Sequence, residues 1–327
     1  MLSLLRPIST SRKRRLAAGL AIALAAAPGT FVRTALPDRH IEQIDIVAVA
    51  DFPGNAELEG FTREGVWELT SPNMDFGGVS ALFVLPEQGL FRAFSDRGVM
   101  LTFPMPDRTG EARIARLPHR GNLEDFVTDI ESAAHDPASG DFWLAFEGSN
   151  AVARYSSRDV LMWQRVPEEW AGWSANSGPE AMARLADGRF IILPETESTG
   201  VLHTGDPARE GDSRSFAFTT PGDFAPTDMA ALPDGRVLVL LRDVTLAYPP
   251  FTASLGIFDP VDIAEDEELE IALLLDLDAM IPNENYEGLT ISEGEDGAIT
   301  IWIIADDNIA SFQRTLLAKL RWTPDSG

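Results

Sequence analysis

The sequence predicts an all-β fold: a single β-propeller of six blades, closed by pairing strands from the two chain ends. Three features predict it. Past residue 40, no apolar pattern holds a 3.6-residue period over a useful length. Short apolar runs recur instead, bounded by Gly, Pro, Asp and Asn, and these read as strands and turns. Most informative, one unit returns five times. It consists of a polar or acidic residue, a small residue, a short apolar strand, a turn rich in Asp and Gly, and a second strand ending on a polar residue.

The five units are FGGVSALFVLPEQGLFRAFSDRG from Phe76, TDIESAAHDPASGDFWLAFEG from Thr128, SGPEAMARLADGRFIILPE from Ser177, APTDMAALPDGRVLVLLRD from Ala225 and NYEGLTISEGEDGAITIWIIADDN from Asn285. With Val79, Ser132, Ala181, Met229 and Gly288 as matching positions, the steps are 53, 49, 48 and 59 residues. A repeat of this length with several strands per unit is the signature of a propeller blade. Within a unit, Asp187-Gly188 and Asp234-Gly235 turn hairpins through a conformation that glycine adopts without strain. Runs such as Phe190–Leu193 are continuously apolar, as expected of strands covered on both faces. A sixth blade is assembled from Ile41–Val49, Gly65–Leu69 and Leu316–Trp322, so that both chain ends close the ring and no sheet edge is left open. The stretch Phe94–Asp125 leaves a count of seven open, and a β-sandwich with similar hairpins is the competing architecture.

Charge separates the chain into two regions. The 327 residues carry 26 basic and 51 acidic side chains, a formal net charge of −25. Residues 1–39 hold seven of the basic groups and one acid, so the propeller region 40–327 has a net charge of −31. Such a chain is a poor nucleic-acid binder, because phosphate neutralisation supplies most of that affinity. With no cysteine, disulfides, thiolate metal sites and cysteine nucleophiles are excluded. The leader reads S-R-K-R-R before the apolar run Leu16–Ala27, the parts of an export signal. Arg14-Arg15 suits a twin-arginine signal, and the general secretory route is also compatible; either one implies a periplasmic destination. The apolar run is shorter than the roughly 20 residues of a spanning helix, so no stable membrane span is expected after processing, an N-terminal anchor being the alternative.

Polar residues cluster at the strand ends. Asp129, Glu131, Glu180, Asp228 and Glu287 precede or open the first repeat strand. Asp96, Arg97, Glu147, Glu195, Arg242, Asp306, Asp307 and Asn308 follow the second. Taken singly, each suits a structural hydrogen bond as well as a ligand role. As a recurring set at one mouth of a propeller they point to a polar channel. Convergent carboxylates repel one another unless a cation compensates, and oxygen ligands of this kind are what Ca²⁺ selects. Asn176 and Asn285 stand just ahead of Glu180 and Glu287 in N-S-G-P-E and N-Y-E-G and are candidate substrate contacts. No G-x-S-x-G elbow, phosphate loop or H-E-x-x-H motif occurs, and the four histidines avoid the repeat's key positions.

The ordered motifs G-G-V-S-A-L, F-S-D-R-G, D-I-E-S, F-E-G, N-S-G-P-E-A-M-A, N-Y-E-G-L, A-D-D-N and Q-R-T-L-L resemble the phytase-like family, that with the esterase-like activity of phytase. The resemblance runs from about residue 45 to 322 and implies an exported β-propeller with an esterase- or phosphodiesterase-type activity. It implies an acidic set of Asp96, Asp129, Glu131, Glu147, Glu180, Glu195, Glu287, Asp306 and Asp307, with Arg97 and Arg314 as basic members. The chain departs from the pattern at I-I-L-P-E, where Pro194 precedes Glu195, and at L-V-L-L-R, where Arg242 stands in place of an acid. Two functions follow. In the first, the chain is a Ca²⁺-dependent hydrolase of small anionic esters. Asp129, Glu131, Glu147, Glu180, Asp306 and Asp307 hold the metal, Glu287 and Asp96 act in catalysis, and Arg97 or Arg314 grips the substrate. In the second, it is a non-catalytic envelope propeller that binds a ligand or a protein.

Overall fold

The computed structural model describes residues 38–118, 129–174, 177–245, 250–263, 268–310 and 313–324. The expected export signal, as far as residue 37, and Asn176 lie outside the described residues. From Arg39 onward the chain forms one compact unit. Its opening strands β1 (Asp45–Ala48), β2 (Glu57–Leu58) and β3 (Phe61–Thr70) belong to a sheet completed only at the end of the sequence.

Blade one is the meander β4 (Val79–Leu85), β5 (Leu90–Ser95), β6 (Val99–Pro104) and β7 (Arg113–Arg116). Blade two repeats it with β8 (Ile130–His135), β9 (Phe142–Phe146), β10 (Ala151–Tyr155) and β11 (Leu161–Arg165). Blade three has β12 (Ala181–Arg184), β13 (Phe190–Leu193), β14 (Thr199–His203) and β15 (Ser213–Thr219). In blade four, β16 (Ala225–Ala231), β17 (Val237–Val244) and β18 (Phe251–Phe258) are followed by β19 (Leu269–Glu270), which lies parallel to β15 of blade three; β20 (Ala272–Asp276) then completes blade four. Blade five is β21 (Tyr286–Glu293), β22 (Ile299–Ala305) and β23 (Leu316–Trp322), with β3 and β1 added outside them. The innermost strands follow one another in a closed ring, β4, β8, β12, β16, β21 and back to β4.

The propeller is therefore as expected, but it has five blades among the described residues and not six. The segments assigned to a sixth blade are real strands with a different home. β23 pairs with β22 on one side and with β3 on the other, so Leu316–Trp322 and Phe61–Thr70 are the outer strands of blade five. The fifth repeat supplies only an inner hairpin, and the two chain ends supply the rest. Of the stretch that left seven open, the part up to residue 118 contributes β6 and β7 to blade one, and the rest lies outside the described residues.

Five apolar clusters hold the ring, each between consecutive blades. Strand β17 shows why its sequence is continuously apolar. Leu238 and Leu240 enter the core shared with blade five, and Val237, Val239 and Leu241 the core shared with blade three. Trp170 and Trp173, stacked at 5.3 Å, are buried between blades two and three. Fully buried Asp228 accepts the Met229 amide at 2.8 Å and the Leu289 amide at 2.7 Å, joining blade four to blade five. No helix among the described residues is long and apolar enough to cross a membrane.

If β23 locks the ring, Leu320→Ala, fully buried in blade five, lowers the free energy of unfolding in urea by about 2–5 kcal/mol. Leu273→Ala on the exposed outer strand of blade four changes it by about 0.5 kcal/mol or less. Equal effects would mean that closure does not depend on the core around β23.

Candidate functional site

One backbone device builds the site. In β4, β8, β16 and β21 the register slips by one residue near the strand start, leaving Ser80, Glu131, Thr227 and Glu287 as the extra residue of a bulge. A bulge bends the strand and re-aims the side chain it carries. In blade three the equivalent place falls to Glu180, directly before β12. Level with these, at the end of each blade's second strand, stand Asp96, Glu147, Glu195, Arg242 and Asp306. The five blades thus bring ten equivalent positions to one mouth of the channel.

The connecting backbone is tightly constrained. Gly77 and Gly78 have φ of +102° and +68°, and a Cβ on Gly78 would collide with the Asp96 carboxylate. Asp129 takes φ +72°, unusual for a residue with a side chain; its amide donates to the Asp96 carbonyl, and its own carbonyl accepts the Glu147 amide at 2.8 Å. Gly178 passes so close to blade two that a Cβ there would lie 2.8 Å from the Glu147 Cα.

Nine of these ten positions, all but the buried Thr227, line a cavity of about 400 Å³ that presents eight carboxyl groups and one guanidinium. The carboxyls belong to Asp96, Asp129, Glu131, Glu147, Glu180, Glu195, Glu287 and Asp306, and Ser80, Asn285 and Asn308 complete the polar wall. Oxygen atoms of Asp129, Glu131 and Glu147 lie within 4.8 Å of one another, as do those of Glu147, Glu180 and Glu195. The guanidinium is Arg242. Its Nη2 donates to Glu195 Oε1 at 2.9 Å, and its Nη1 to Asn285 Oδ1 at 2.6 Å and to Glu287 Oε1. Asn285 Nδ2 donates to the same Glu287 oxygen at 2.7 Å, so that carboxylate is held from two sides.

Burial and like charge act together on the carboxyls. Burial first, then Glu180 and Glu287, hold Glu131 well above the ordinary carboxylate range; burial, Glu195 and Glu147 do the same to Glu180. Glu147 is raised by burial and by Asp129. Burial and the neighbouring Glu287 push Asp306 up to about 8. Burial carries Asp96 to about 6 against the pull of Arg97. Burial works against the charge on Arg242, but Glu287 and Glu195 outweigh it and keep the guanidinium above its usual range.

Most of the expected residues meet in this cavity, and Asp228, Asp307, Arg97 and Arg314 do not line it; Asp228 stands one residue past the bulge and is buried between blades four and five. Glu287, Asp96, Asp129, Glu131, Glu147, Glu180, Asp306 and Asn285 line it together. Asp307 turns away: its oxygens accept the Gly78 amide at 3.0 Å, the Ile309 amide at 2.9 Å and the Thr315 hydroxyl at 3.1 Å. Arg97 was expected on a substrate anion, but its Nη2 donates to the carbonyls of Asp75, Phe76 and Gly77 at 3.2–3.3 Å and fixes the loop before β4. Arg314 is paired with Glu284 at 2.7 Å. The cation expected from Arg97 or Arg314 is supplied by Arg242. Arg242 and Glu195 had been set apart as departures from the family pattern, yet each occupies the strand-end place of its own blade. Asn308, expected at the strand end, lines the cavity as well, whereas Ser80 was not among the expected site residues. The repeats aligned in sequence put Gly78, not Ser80, level with Glu131, and only the bulged register of β4 and β8 makes Ser80 its equivalent.

Comparison with known proteins gives a family and a fold. The sequence model of the phytase-like family, described as esterase-like activity of phytase, matches residues 74–309. No curated protein matches the chain in sequence. Among solved structures, an endo-arabinase from Bacteroides thetaiotaomicron is 8% identical, covering 77% of this chain and 96% of its own, with a TM-score of 0.50. A gluconolactonase from Xanthomonas campestris is 10% identical, covering 84% of this chain and 97% of its own, with a TM-score of 0.44. At such identities the likeness is one of fold alone.

Asp306 makes the site's electrostatics testable. An unfolded aspartate releases its proton near 3.8, and this one does so at about 8 when folded. The folded state therefore holds an extra proton between those values. The stability this contributes is complete below about pH 4 and lost as pH rises through about 8. In chelator, the melting temperature falls as pH is raised from about 5 to about 8, and Asp306→Asn shows a shallower fall. Equal slopes would remove Asp306 as the source.

Proposed function

The chain belongs to the phytase-like family of esterase-like proteins, and on that premise we propose that it is a metal-dependent hydrolase of phosphoric or carboxylic esters. The observation that carries this reading is the imbalance in the cavity: eight carboxyl groups face one guanidinium already bonded to Glu195, Glu287 and Asn285. With only protons to relieve the repulsion, several carboxyls stay protonated, and those that ionise repel an anionic substrate. A hard divalent cation relieves both, and the donor set fits one. It is all oxygen, with two groups of three carboxylates sharing Glu147, the arrangement Ca²⁺ accepts.

Asp129, Glu131, Glu147, Glu180 and Glu195 would hold the ion, with Asp306 as a further acid of the same cavity. When bound, a divalent cation neutralises substrate charge and acidifies water. The remaining work falls to the chain's own groups. Glu287 is fixed by Arg242 and Asn285 at the cavity wall and accepts the proton of the attacking water. Asp96, carried to about 6, changes charge near neutral pH and returns a proton to the departing oxygen. Arg97 acts on this site by holding the Gly77–Gly78 loop against Asp96 and by pairing with the Asp96 carboxylate at 3.7 Å. We place this chemistry outside the inner membrane, on the strength of the basic, apolar leader.

Two measurements test the reading. Chelator lowers the melting temperature, and Ca²⁺ at about 100 times its dissociation constant restores about 2.7 kcal/mol. On model phosphodiesters, phosphomonoesters and carboxylate esters with Ca²⁺, Glu287→Gln loses at least about 10²-fold in kcat while keeping its fold. If the wild type turns over none of these esters yet Ca²⁺ raises its melting temperature, the chain is a ligand-binding propeller. If Glu287→Gln matches an active wild type, the base lies elsewhere.

A further inference from the structure

The ten positions around the mouth are not all acidic, and the exception in blade one has no partner. Ser80 fills the bulge position that holds Glu131 in blade two and Glu287 in blade five. It is 1% exposed, lines the cavity, and its Oγ makes no hydrogen bond. This is notable in a cavity so rich in carboxyl acceptors, because a buried hydroxyl without a partner costs stability. The equivalent hydroxyl of blade four is already used: Thr227 Oγ1 donates to the Tyr286 carbonyl at 3.3 Å and the Leu240 carbonyl at 3.5 Å. The other buried donors of the cavity are committed too, Arg242 to Glu195, Glu287 and Asn285, and Asn285 to Glu287. Asn308 is exposed at the rim. Among the described residues, Ser80 is thus the buried neutral donor on the cavity wall that remains uncommitted.

We propose that Ser80 is a catalytic residue of the ester hydrolysis. Its hydroxyl donates a hydrogen bond to the carbonyl or phosphoryl oxygen of the substrate as negative charge gathers there. This rests on the hydrolase reading and adds the group that receives the developing oxyanion. The proton stays on Oγ, and no bond to Ser80 forms. A hydroxyl suits this wall better than another charge would. It is neutral beside carboxylates and small enough to turn about one torsion. Being unbonded beforehand, it gives up no existing partner when the charge appears, and that is the condition for stabilising the transition state more than the ground state.

The test compares wild type, Ser80→Ala, Ser80→Thr and Thr227→Val on 4-nitrophenyl acetate and on bis(4-nitrophenyl) phosphate with Ca²⁺. Melting temperatures are recorded beside kcat and KM. Ser80→Ala should lower kcat by about 10²-fold with KM changed by no more than about twofold. Its melting temperature should not fall, because no hydrogen bond is lost. Ser80→Thr keeps the hydroxyl and should stay within about tenfold of wild type. Thr227→Val should do the reverse, keeping kcat and lowering the melting temperature by about 2 °C. A loss confined to one substrate identifies which oxygen Ser80 serves. Wild-type kcat in Ser80→Ala overturns the inference, and so does Ser80→Thr as slow as Ser80→Ala with both folded. A melting temperature in Ser80→Ala lowered as in Thr227→Val makes the serine structural and also overturns it. If wild type turns over neither ester, the hydrolase reading falls and takes this inference with it. If wild type is active and Ser80→Ala equals it, this inference falls alone.

Discussion

Each blade is a sheet with two apolar faces, and every other feature depends on both being covered. Leu238 and Val237 are chain neighbours on β17, yet they enter different cores. A blade alone would expose one or both of these faces, so no subset of blades is a comfortable structure in water. Only a closed ring covers all five interfaces, and closure fixes the tilt and spacing of the innermost strands. The stacked pair Phe61 and Trp322, 5.3 Å apart, marks the place where the two ends of the chain complete it.

A ring held this firmly can force together groups that would otherwise separate. The bulges at Glu131 and Glu287, and the strand end at Glu180, present acids to one axis at places the apolar cores do not allow to drift. The mutual repulsion is an energetic load on the fold, borne by interfaces that lie below the mouth. Protons, the single guanidinium of Arg242 or a divalent ion each relieve part of it. The site's affinity for cations is thus a property of the whole ring more than of any one loop. Arg242 also breaks the five-fold sameness. It ties down the side of the mouth formed by blades three to five and does not reach the blade-one wall, where Ser80 has no hydrogen-bond partner and Asp96 is paired with Arg97.

Sequence legibility followed this division. The repeat gave the blades, the strand-end residues and most of the cavity, because a side chain at a fixed place in successive blades has little choice of direction. The blade count went astray at the chain ends, where Leu316–Trp322 and Phe61–Thr70 carry no turn signal saying which hairpin they join. Arg97 and Asp307 lie beside true cavity residues but are captured by backbone carbonyls and amides, partners invisible in a string of side chains. Arg242 looked like a departure because the set was defined by charge. Defined by position, it is a regular member. Ser80 was hidden for a related reason: its significance lies in a bulge and in the lack of a partner, neither of which a sequence displays.

The pairing of β3 with β23 joins Phe61 to Trp322, about 260 residues apart in the chain. During synthesis β3 is made about 260 residues before its partner, so it waits for β23 before the ring can close. Until then an apolar edge is open to other chains, and each nascent molecule depends on being shielded for the whole time of its elongation. A chain broken off anywhere before Leu316 does not yield a smaller version of the protein. It lacks the strand that joins the beginning to the end, and the cell meets it as an unfinished, adhesive intermediate.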